Sequence, residues 1–552
     1  MTLGADADAL RDKAETVAAA SRAARTWIGD VRGSAVSVAN EAESLLADAR
    51  RTEGTARRLA RSANRRMCVG VFGASQQGKS YLVSVLARPP GKSELLVRFA
   101  DETRDFVTEI NPQGGNESTG LVTRFSTVPR EDATDPTHPL DLVLLTESDF
   151  IKILANTFQS DFDQNNTKMV PPRGDAVRAI LADAEKQRAR AIAAPHLDDV
   201  TVADLSEYFQ ANFRNRWQEL EPVGFWSRAI ELAPYLPLQA RARLFSVLWG
   251  GLEELTVLFR LLVGALEELG HPAEVVTVIG ALIPRATSII DVATLLKQLG
   301  TQADEQDLLS VRARTKDGFG APVMLGRALL TALIAELHVT MDTEPWPMFA
   351  HTDLLDFPGA RSRLKMLELP AEPEKRAEKV REMLLRGKVA YLFQRYSEER
   401  ELTAMLLCMG NKINNVADLG SLVRQWIELT HGATPAARRQ VPAALFLVLT
   451  MMDLEFSTKA GETDEAILRK WDIRLEASLV HPYQDGGWVK DFAGRPFDNV
   501  LLLRNPNFDQ EHLMEYALQP GTSKPARPLV ESLFESVFHS QAARIGIGLS
   551  SA

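Results

Sequence analysis

The sequence predicts an α/β fold: a doubly wound, mostly parallel sheet with a large helical insertion and helices ahead of it. Three observations predict this. Met67–Phe72 (MCVGVF) is a continuous apolar run that ends in a glycine-rich turn and helical text, the pattern of a buried parallel strand feeding a helix. Apolar runs recur after residue 350 and alternate with helical patterns at 371–386 and 417–430. Between these regions, 146–340 reads mostly as long amphipathic helices.

The 552 residues correspond to about three or four units of roughly 150 residues each. Apolar residues at 45% and charged residues at 25% exclude wholesale disorder and a fibrous architecture. With 63 basic and 73 acidic side chains the net charge is −10, so no specific nucleic-acid partner held by overall basic charge is expected. Cys68 and Cys408, both in apolar strand-like runs, read as buried free thiols in a reducing compartment. The N-terminus lacks the basic start and apolar core of a signal peptide. No stretch reaches the ~18 apolar residues that span a bilayer. The expected location is the cytoplasm, with peripheral contact at the inner membrane and secretion as an effector left open.

Residues 1–66 are expected to form two or three helices, interrupted near Gly29, Gly33 and Gly54. Arg51, Arg58, Arg61 and Arg65 fall on one helical face. That face either pairs with acids elsewhere or meets an anionic lipid or acidic partner. The core domain then opens at 67 and runs to 145, with strands at 67–72, 121–127 and 140–145. The insertion occupies 146–340, with helices expected at 176–194, 203–219, 239–269 and 273–299. A strand pair near 321–326 and 333–340 closes it, and the whole is expected to fold as its own subdomain. The core resumes over 341–510, with strands at 351–356, 402–409, 443–450 and 499–503. Residues 511–552 are expected to be a C-terminal helical segment and tail.

The chemistry is carried by G-A-S-Q-Q-G-K-S at 73–80, which fits G-x-x-x-x-G-K-[ST], the Walker A phosphate loop. Gly73 and Gly78 let the backbone curl so that amide N–H groups face phosphate oxygens, and the following helix adds its positive end. Lys79 reaches the β- and γ-phosphates and Ser80 ligates Mg²⁺. With no phosphate bound, Lys79 is expected to face solvent. The apolar strand before the loop and the helical run YLVSVLA after it supply the context that the motif needs.

Two further segments fit a nucleotide hydrolase. T-D-L-L-D-F-P-G at 352–359 fits D-x-x-G, with Asp356 holding Mg²⁺ through water and the Gly359 amide sensing the γ-phosphate. G-G-N-E-S-T-G-L-V-T-R at 114–124 reads as a polar loop entering a strand; Thr123, with Thr119 as second choice, would complete the Mg²⁺ shell and position the attacking water. For the base, Thr450-Met451-Met452-Asp453 follows a strand where N/T-K-x-D stands in guanine readers. Asp453 would accept from guanine, with Met451 in place of the usual Lys. Asn411-Lys412-Ile413-Asn414 lacks the terminal Asp and is set aside, and Arg504-Asn505-Pro506 is a candidate final base loop. The nine histidines show no metal-binding spacing, and His351 reads as a packed side chain.

The order of these motifs resembles a dynamin-like large GTPase, with L-V-T-R at 121–124 similar to its switch threonine signature and D-F-P-G at 356–359 similar to its D-x-P-G. The combination of G-A-S-Q-Q-G-K-S-Y-L, I-N-P-Q-G-G-N-E-S-T-G-L-V-T-R-F, D-L-L-D-F-P-G-A-R-S-R and R-N-P-N-F is similar to the SrfC family of bacterial virulence factors, over about 67 to 510. The resemblance implies a Ras/dynamin-like P-loop core that uses Mg²⁺ and GTP, with ATP as the alternative. Its nucleotide-binding positions are Gly73, Ala74, Ser75, Gln76, Gln77, Gly78, Lys79, Ser80, Tyr81, Gly359 and Asp453. Members of the family are often longer, which leaves room for a further C-terminal region. Companion virulence-operon proteins, a second copy of the chain and a membrane surface are the candidate partners. Two departures stand out. Ala360 occupies the position of the water-orienting Gln in Ras-like enzymes, and Ser75-Gln76 reverses the Gln-Ser pair of dynamins. Gln76, or Gln77, is therefore the candidate for the catalytic role. The other expectation is a non-hydrolysing, nucleotide-gated scaffold.

Overall fold

A computed structural model describes residues 3–63, 65–90, 92–111, 119–129, 135–166, 168–361, 363–410, 419–452 and 487–503, the positions Thr463, Ser478 and Tyr483, and the backbone of 514–518 and 525–531. The chain opens with a helical hairpin, α1 (Leu3–Val31) and α2 (Val36–Ala63). Of the three glycines expected to break it, only Gly33 lies in the turn. Gly54 lies inside α2, where a Cβ would meet Val200 at 3.5 Å, an ordinary contact, so the helix runs through it unbroken.

Thirteen strands form one sheet. In chain order its members are β1 (Met67–Phe72), β2 (Leu96–Phe99), β3 (Glu102–Asp105), β4 (Val122–Ser126), β5 (Leu140–Leu144), β6 (Glu274–Thr277), β7 (Leu308–Thr315), β8 (Gly318–Gly326), β9 (Ile334–Met341), β10 (Thr352–Asp356), β11 (Ala404–Met409), β12 (Leu445–Leu449) and β13 (Val500–Leu502). The spatial order is β13-β12-β11-β1-β10-β4-β9-β5-β6-β7-β8, with β2 pairing β9 and β3. Strands β13, β12, β11, β1 and β10 run parallel to one another. Both β10 and β4 are buried at every position, so their polar side chains, Thr352, Asp353, Asp356, Thr123, Arg124 and Ser126, are buried with them.

The helices are α3 (Lys79–Leu86), α4 (Glu147–Asp161), α5 (Asp175–Lys186), α6 (Asp199–Asn212), α7 (Arg214–Leu220), α8 (Phe225–Leu232), α9 (Leu238–Ser246), α10 (Glu253–Leu269), α11 (Val292–Gln298), α12 (Gln302–Gln306), α13 (Arg327–Leu333), α14 (Pro373–Glu398), α15 (Leu419–Thr430) and α16 (Pro435–Arg438). Long α14 crosses α4 at Gly387, where a Cβ would stand 2.0 Å from the Thr157 hydroxyl. That close crossing brings Phe393 into a 3.9 Å ring stack on Phe72, at the end of β1.

The segment 146–340 departs from the expected separate subdomain. It contributes β6, β7, β8 and β9 to the same sheet, and its buried side chains join one continuous core that runs from Cys68 to Val500. The expected pair near 321–326 and 333–340 exists as two strands that are not partners: β8 pairs β7, while β9 lies between β4 and β5. The helix expected over 273–299 is instead β6 followed by short turns and α11, and Pro284 in the middle of the segment explains the break. At the C-terminal end, β14 (Met514–Leu518) and β15 (Pro525–Glu531) pair antiparallel where a helical segment was expected. Pro525 and Pro528 disfavour a helix there.

The hairpin is held to the body by ion pairs. Within the hairpin, fully buried Glu53 of α2 accepts from Arg22 at 3.0 Å and Arg25 at 2.6 Å, both on α1, and from Arg57 at 2.5 Å. All four arginines of the stripe are engaged: Arg51 with Glu207, Arg58 with Asp204, Arg61 with Glu399 and Arg65 with Glu401. No helix among the described residues is long and apolar enough to cross a membrane.

Beside the α14–α4 crossing, Lys388 is completely buried and donates to the Thr331 carbonyl at 2.7 Å. Burial pulls its pKa down to about 7. An unfolded chain keeps that proton up to about 10.4. Between these values the unfolded state binds the extra proton, so this group adds stability as pH rises from 7 to 10 and loses it as pH falls back. The prediction is that the difference in unfolding free energy between Lys388→Met and wild type, measured by chemical denaturation, shifts in favour of wild type across pH 7–10 by a change on the order of a few kcal/mol. A pH-independent difference between the two proteins contradicts it.

Candidate functional site

β1 delivers the chain to a loop, 73–78, and the loop to α3, whose first residue is Lys79. The loop is built from unusual backbone. Gly73 has φ 152°, Gln76 φ 60° and Gly78 φ 74°. A Cβ on Gly73 would stand 2.3 Å from the Cys408 carbonyl oxygen at the end of β11, so no other residue fits there without moving backbone. Left-handed Gly78 caps α3 and lies against Thr450 and Met451, just after β12.

Gln77 anchors the loop to both strands. Its side-chain oxygen accepts from the Gly410 N–H after β11, and its carbonyl accepts from the Thr450 hydroxyl at 2.7 Å. Thr450 is thus a brace of the loop that the sequence reading considered only as part of a base motif. Gln76, in contrast, is exposed, Ser75 is half-buried, and Ser80 is exposed at the start of α3.

Lys79 differs from expectation. It is 1% exposed, and its ammonium donates to the Ala74 carbonyl at 2.8 Å. The loop curls over its own lysine because an inward-facing carbonyl is an acceptor within reach. A cation at this place also opposes the positive end of the α3 dipole.

The β10 segment lies alongside. Phe357 N–H donates to Val71 O at 3.3 Å and Ala360 N–H to Gly73 O at 3.1 Å, with a parallel bridge between Ala74 and Ala360. Phe72, Phe357 and Phe393 pack beneath, with the Phe72 and Phe357 rings edge to face at 6.0 Å. Asp356 ends β10, 7% exposed, in register with Val71 on one side and Thr123 on the other. Directly opposed residues in neighbouring strands point to the same face, so Thr123 and Asp356 share a face of the sheet.

Loop 73–80, Asp356, Gly359 and Thr123 are therefore brought together at the carboxyl ends of β1 and β10. Thr123 is within β4, 3% exposed and paired to Leu337 as well, rather than in a free loop. Thr119 bridges Asp291 beside α11, away from this cluster. His351 is exposed just ahead of β10, at the opposite end of the strand from Asp356, not packed as expected. Asp453, the segments 112–118 and 411–418, and Arg504-Asn505-Pro506 lie outside the described residues.

One residue beyond Thr123, Arg124 is 7% exposed and was not singled out from sequence. It bonds Glu336 on β9 at 2.8 and 2.9 Å, Asp353 on β10 at 3.2 Å, Glu401 at 2.8 Å and the Cys68 sulfur at 2.9 Å. Arg66, after α2, joins Asp353 at 2.8 Å. This network ties β4, β10, β9 and the hairpin together. Burial pushes the Cys68 thiol up to about 12, which keeps it protonated, and both cysteines are free and buried as expected.

A family described as "Putative bacterial virulence factor" matches residues 24–537, nearly the whole chain, and the protein belongs to it. No curated protein matches the chain.

Two glycine substitutions should separate the loop's needs from general glycine effects. Gly73→Ala should lower stability by about 1–3 kcal/mol in chemical denaturation, since both its φ and the Cys408 carbonyl reject a Cβ. Gly29→Ala, inside α1 with open space around it, should be neutral or stabilising by about 0.5–1 kcal/mol. Equal effects would contradict the loop geometry.

Proposed function

We propose that the protein is a dynamin-like P-loop NTPase that binds GTP with Mg²⁺, hydrolyses it slowly, and switches partner or membrane contacts in a virulence-associated bacterial system. The observation that carries the reading is the juxtaposition at the end of β1. The G-A-S-Q-Q-G-K-S loop, with its lysine buried at a helix N-terminus, stands beside the carboxylate that ends β10. β1 lies between β10 and β11, and the chain passes from one side of β1 to the other between those two strands, so the loop lies at a topological switch point, where open α/β sheets hold ligands.

The residues suit the expected groups. Backbone N–H groups of 73–80 and the start of α3 offer donors to phosphate oxygens. Lys79, on leaving the Ala74 carbonyl, can neutralise phosphate charge; phosphate oxygens then replace one carbonyl acceptor with several charged ones. The hydroxyls of Ser80 and Thr123 and the Asp356 carboxylate are hard oxygen donors of the kind Mg²⁺ takes. Bound Mg²⁺ supplies charge neutralisation across the β- and γ-phosphates. Because Thr123 is fixed in β4, movement on hydrolysis falls to the chain before it and to the Gly359–Ala360 turn. Gln76 is an exposed side chain of the loop, which suits a water-positioning role. Asp453 is the proposed reader of guanine, and its loss would favour ATP.

A second reading, a nucleotide-gated scaffold that does not hydrolyse, is favoured by Ala360. Its side chain carries no group to orient water, and its N–H is engaged with Gly73 O.

The test is phosphate release from GTP and from ATP by the purified chain, measured against protein concentration. Slow basal turnover is expected, rising with self-association or a companion protein that completes the site, a type of contribution worth about 10³–10⁵ in related switches. A fast, concentration-independent rate contradicts the incomplete site, and nucleotide binding with zero turnover selects the scaffold. Asp453→Asn should weaken GTP by about 5- to 150-fold relative to ATP, through an unpaired polar group at the base. Unchanged preference removes the guanine assignment.

A further inference from the structure

Just beyond β5, four strands along the sheet from β1, three residues distant in sequence converge. Glu147 is the first residue of α4, His196 lies in the connection between α5 and α6, and His271 follows α10. One ligand atom from each lies within 4.8 Å of the other two. We propose that Glu147, His196 and His271 form a binding site for a divalent transition-metal ion of the zinc class.

The carboxylate is prepared for such a role. Glu147 is fully buried and accepts from the Arg241 guanidinium at 2.8 and 3.0 Å, while its Oε2 meets His196 Nε2 at 2.8 Å. Arg241 in turn bonds Glu267 at 2.8 Å. Two carboxylates against one guanidinium leave this group of charges at −1, which favours an added cation. Metal-ligating carboxylates are commonly oriented by such an outer partner.

His271 bears the marks of a residue held for a purpose. It has φ 53°, a strained backbone for a non-glycine residue. Its Nδ1 is buried with no hydrogen-bond partner among the described residues. Its ring lies 3.5 Å from that of His196, at 20°, so two imidazoles share one small volume. A bound ion would satisfy the orphaned nitrogen and offset the backbone strain. Coordination needs the two rings to turn out of the stack so that their in-plane lone pairs converge.

The donor set decides the class of ion. Two imidazoles and a carboxylate suit Zn²⁺, Co²⁺ or Ni²⁺, whereas Mg²⁺ and Ca²⁺ take all-oxygen shells. Three protein ligands leave a fourth position for water or a small ligand. All three ligands line a cavity of about 380 Å³, lined also by Arg57, Lys152 and Glu274, which has room for such a ligand. The site ties α4, the 187–198 connection and the end of α10 together, and it is independent of the nucleotide reading.

The experiment is titration of the metal-stripped full chain with Co²⁺ and Zn²⁺, followed by cobalt absorption in the visible and by calorimetry, with millimolar Mg²⁺ present. One ion per chain is expected, not displaced by Mg²⁺ and unaffected by Lys79→Ala. His196→Ala and His271→Ala should each weaken binding by more than about 100-fold, beyond the loss typical of outer-shell changes. X-ray absorption on the wild-type zinc adduct reads the ligands without any substitution, and two imidazoles with oxygen are expected. Absence of saturable binding, binding unchanged in both variants, or an all-oxygen shell each overturns the site.

Discussion

A lysine buried at the positive end of a helix is the constraint around which the rest of the candidate site is arranged. Lys79 has almost no exposure and stands where the dipole of α3 repels a cation. The loop tolerates this because it curls tightly enough to present the Ala74 carbonyl to the ammonium. That curl needs Gly73 and Gly78, and it needs the ends of β11 and β12 as a floor, through Cys408, Gly410 and Thr450. The parallel order of β10, β1, β11 and β12 is what brings those ends to one place. The same arrangement holds a buried cation beside the positive end of α3, and an anion is the species that would relieve that pairing.

The sheet also determines what can move. Thr123 and Asp356 are fixed by pairing on both sides, and the Arg124 network behind them joins β4, β9 and β10 through Glu336 and Asp353. Arg65 and Arg66 carry the network on to the helical hairpin. Truncating Arg124 would leave buried carboxylates without their cation, a far larger loss than that of an exposed ion pair. Rigidity therefore lies in the strands, and responses to a ligand fall to the turns that leave them.

Much of this was legible in sequence, for identifiable reasons. Strands β1, β4, β5, β10, β11, β12 and β13 were each anticipated within a few residues because they are short segments rich in apolar or β-branched residues and bounded by turn or loop text. The loop was legible because its glycines and lysine have a fixed spacing. Strand β7 was harder: it carries Arg312 and Arg314 on a half-buried face, and Arg314 is held by Asp141, so it does not read as apolar. β9, flanked by helical text, was found, but its partners are set by long-range packing that no local pattern reports. Burial of Lys79 was missed because the loop's self-contact depends on backbone geometry rather than on residue type. Arg124 looked like part of a switch motif, and its role appeared only when Glu336, Asp353 and Glu401 came together from distant segments.

The central claim is that loop 73–80 binds a nucleoside triphosphate through Lys79. Isothermal titration of the purified chain with GTP and with ATP, each with Mg²⁺, tests it directly, alongside Lys79→Ala checked for an unchanged fold by circular dichroism. The account predicts one saturable nucleotide site in the wild type and a loss of at least about tenfold in affinity in the variant, since an ionic hydrogen bond contributes about 1.5–3 kcal/mol. No binding of either nucleotide to the wild type, or identical affinities in a folded Lys79→Ala protein, would contradict it.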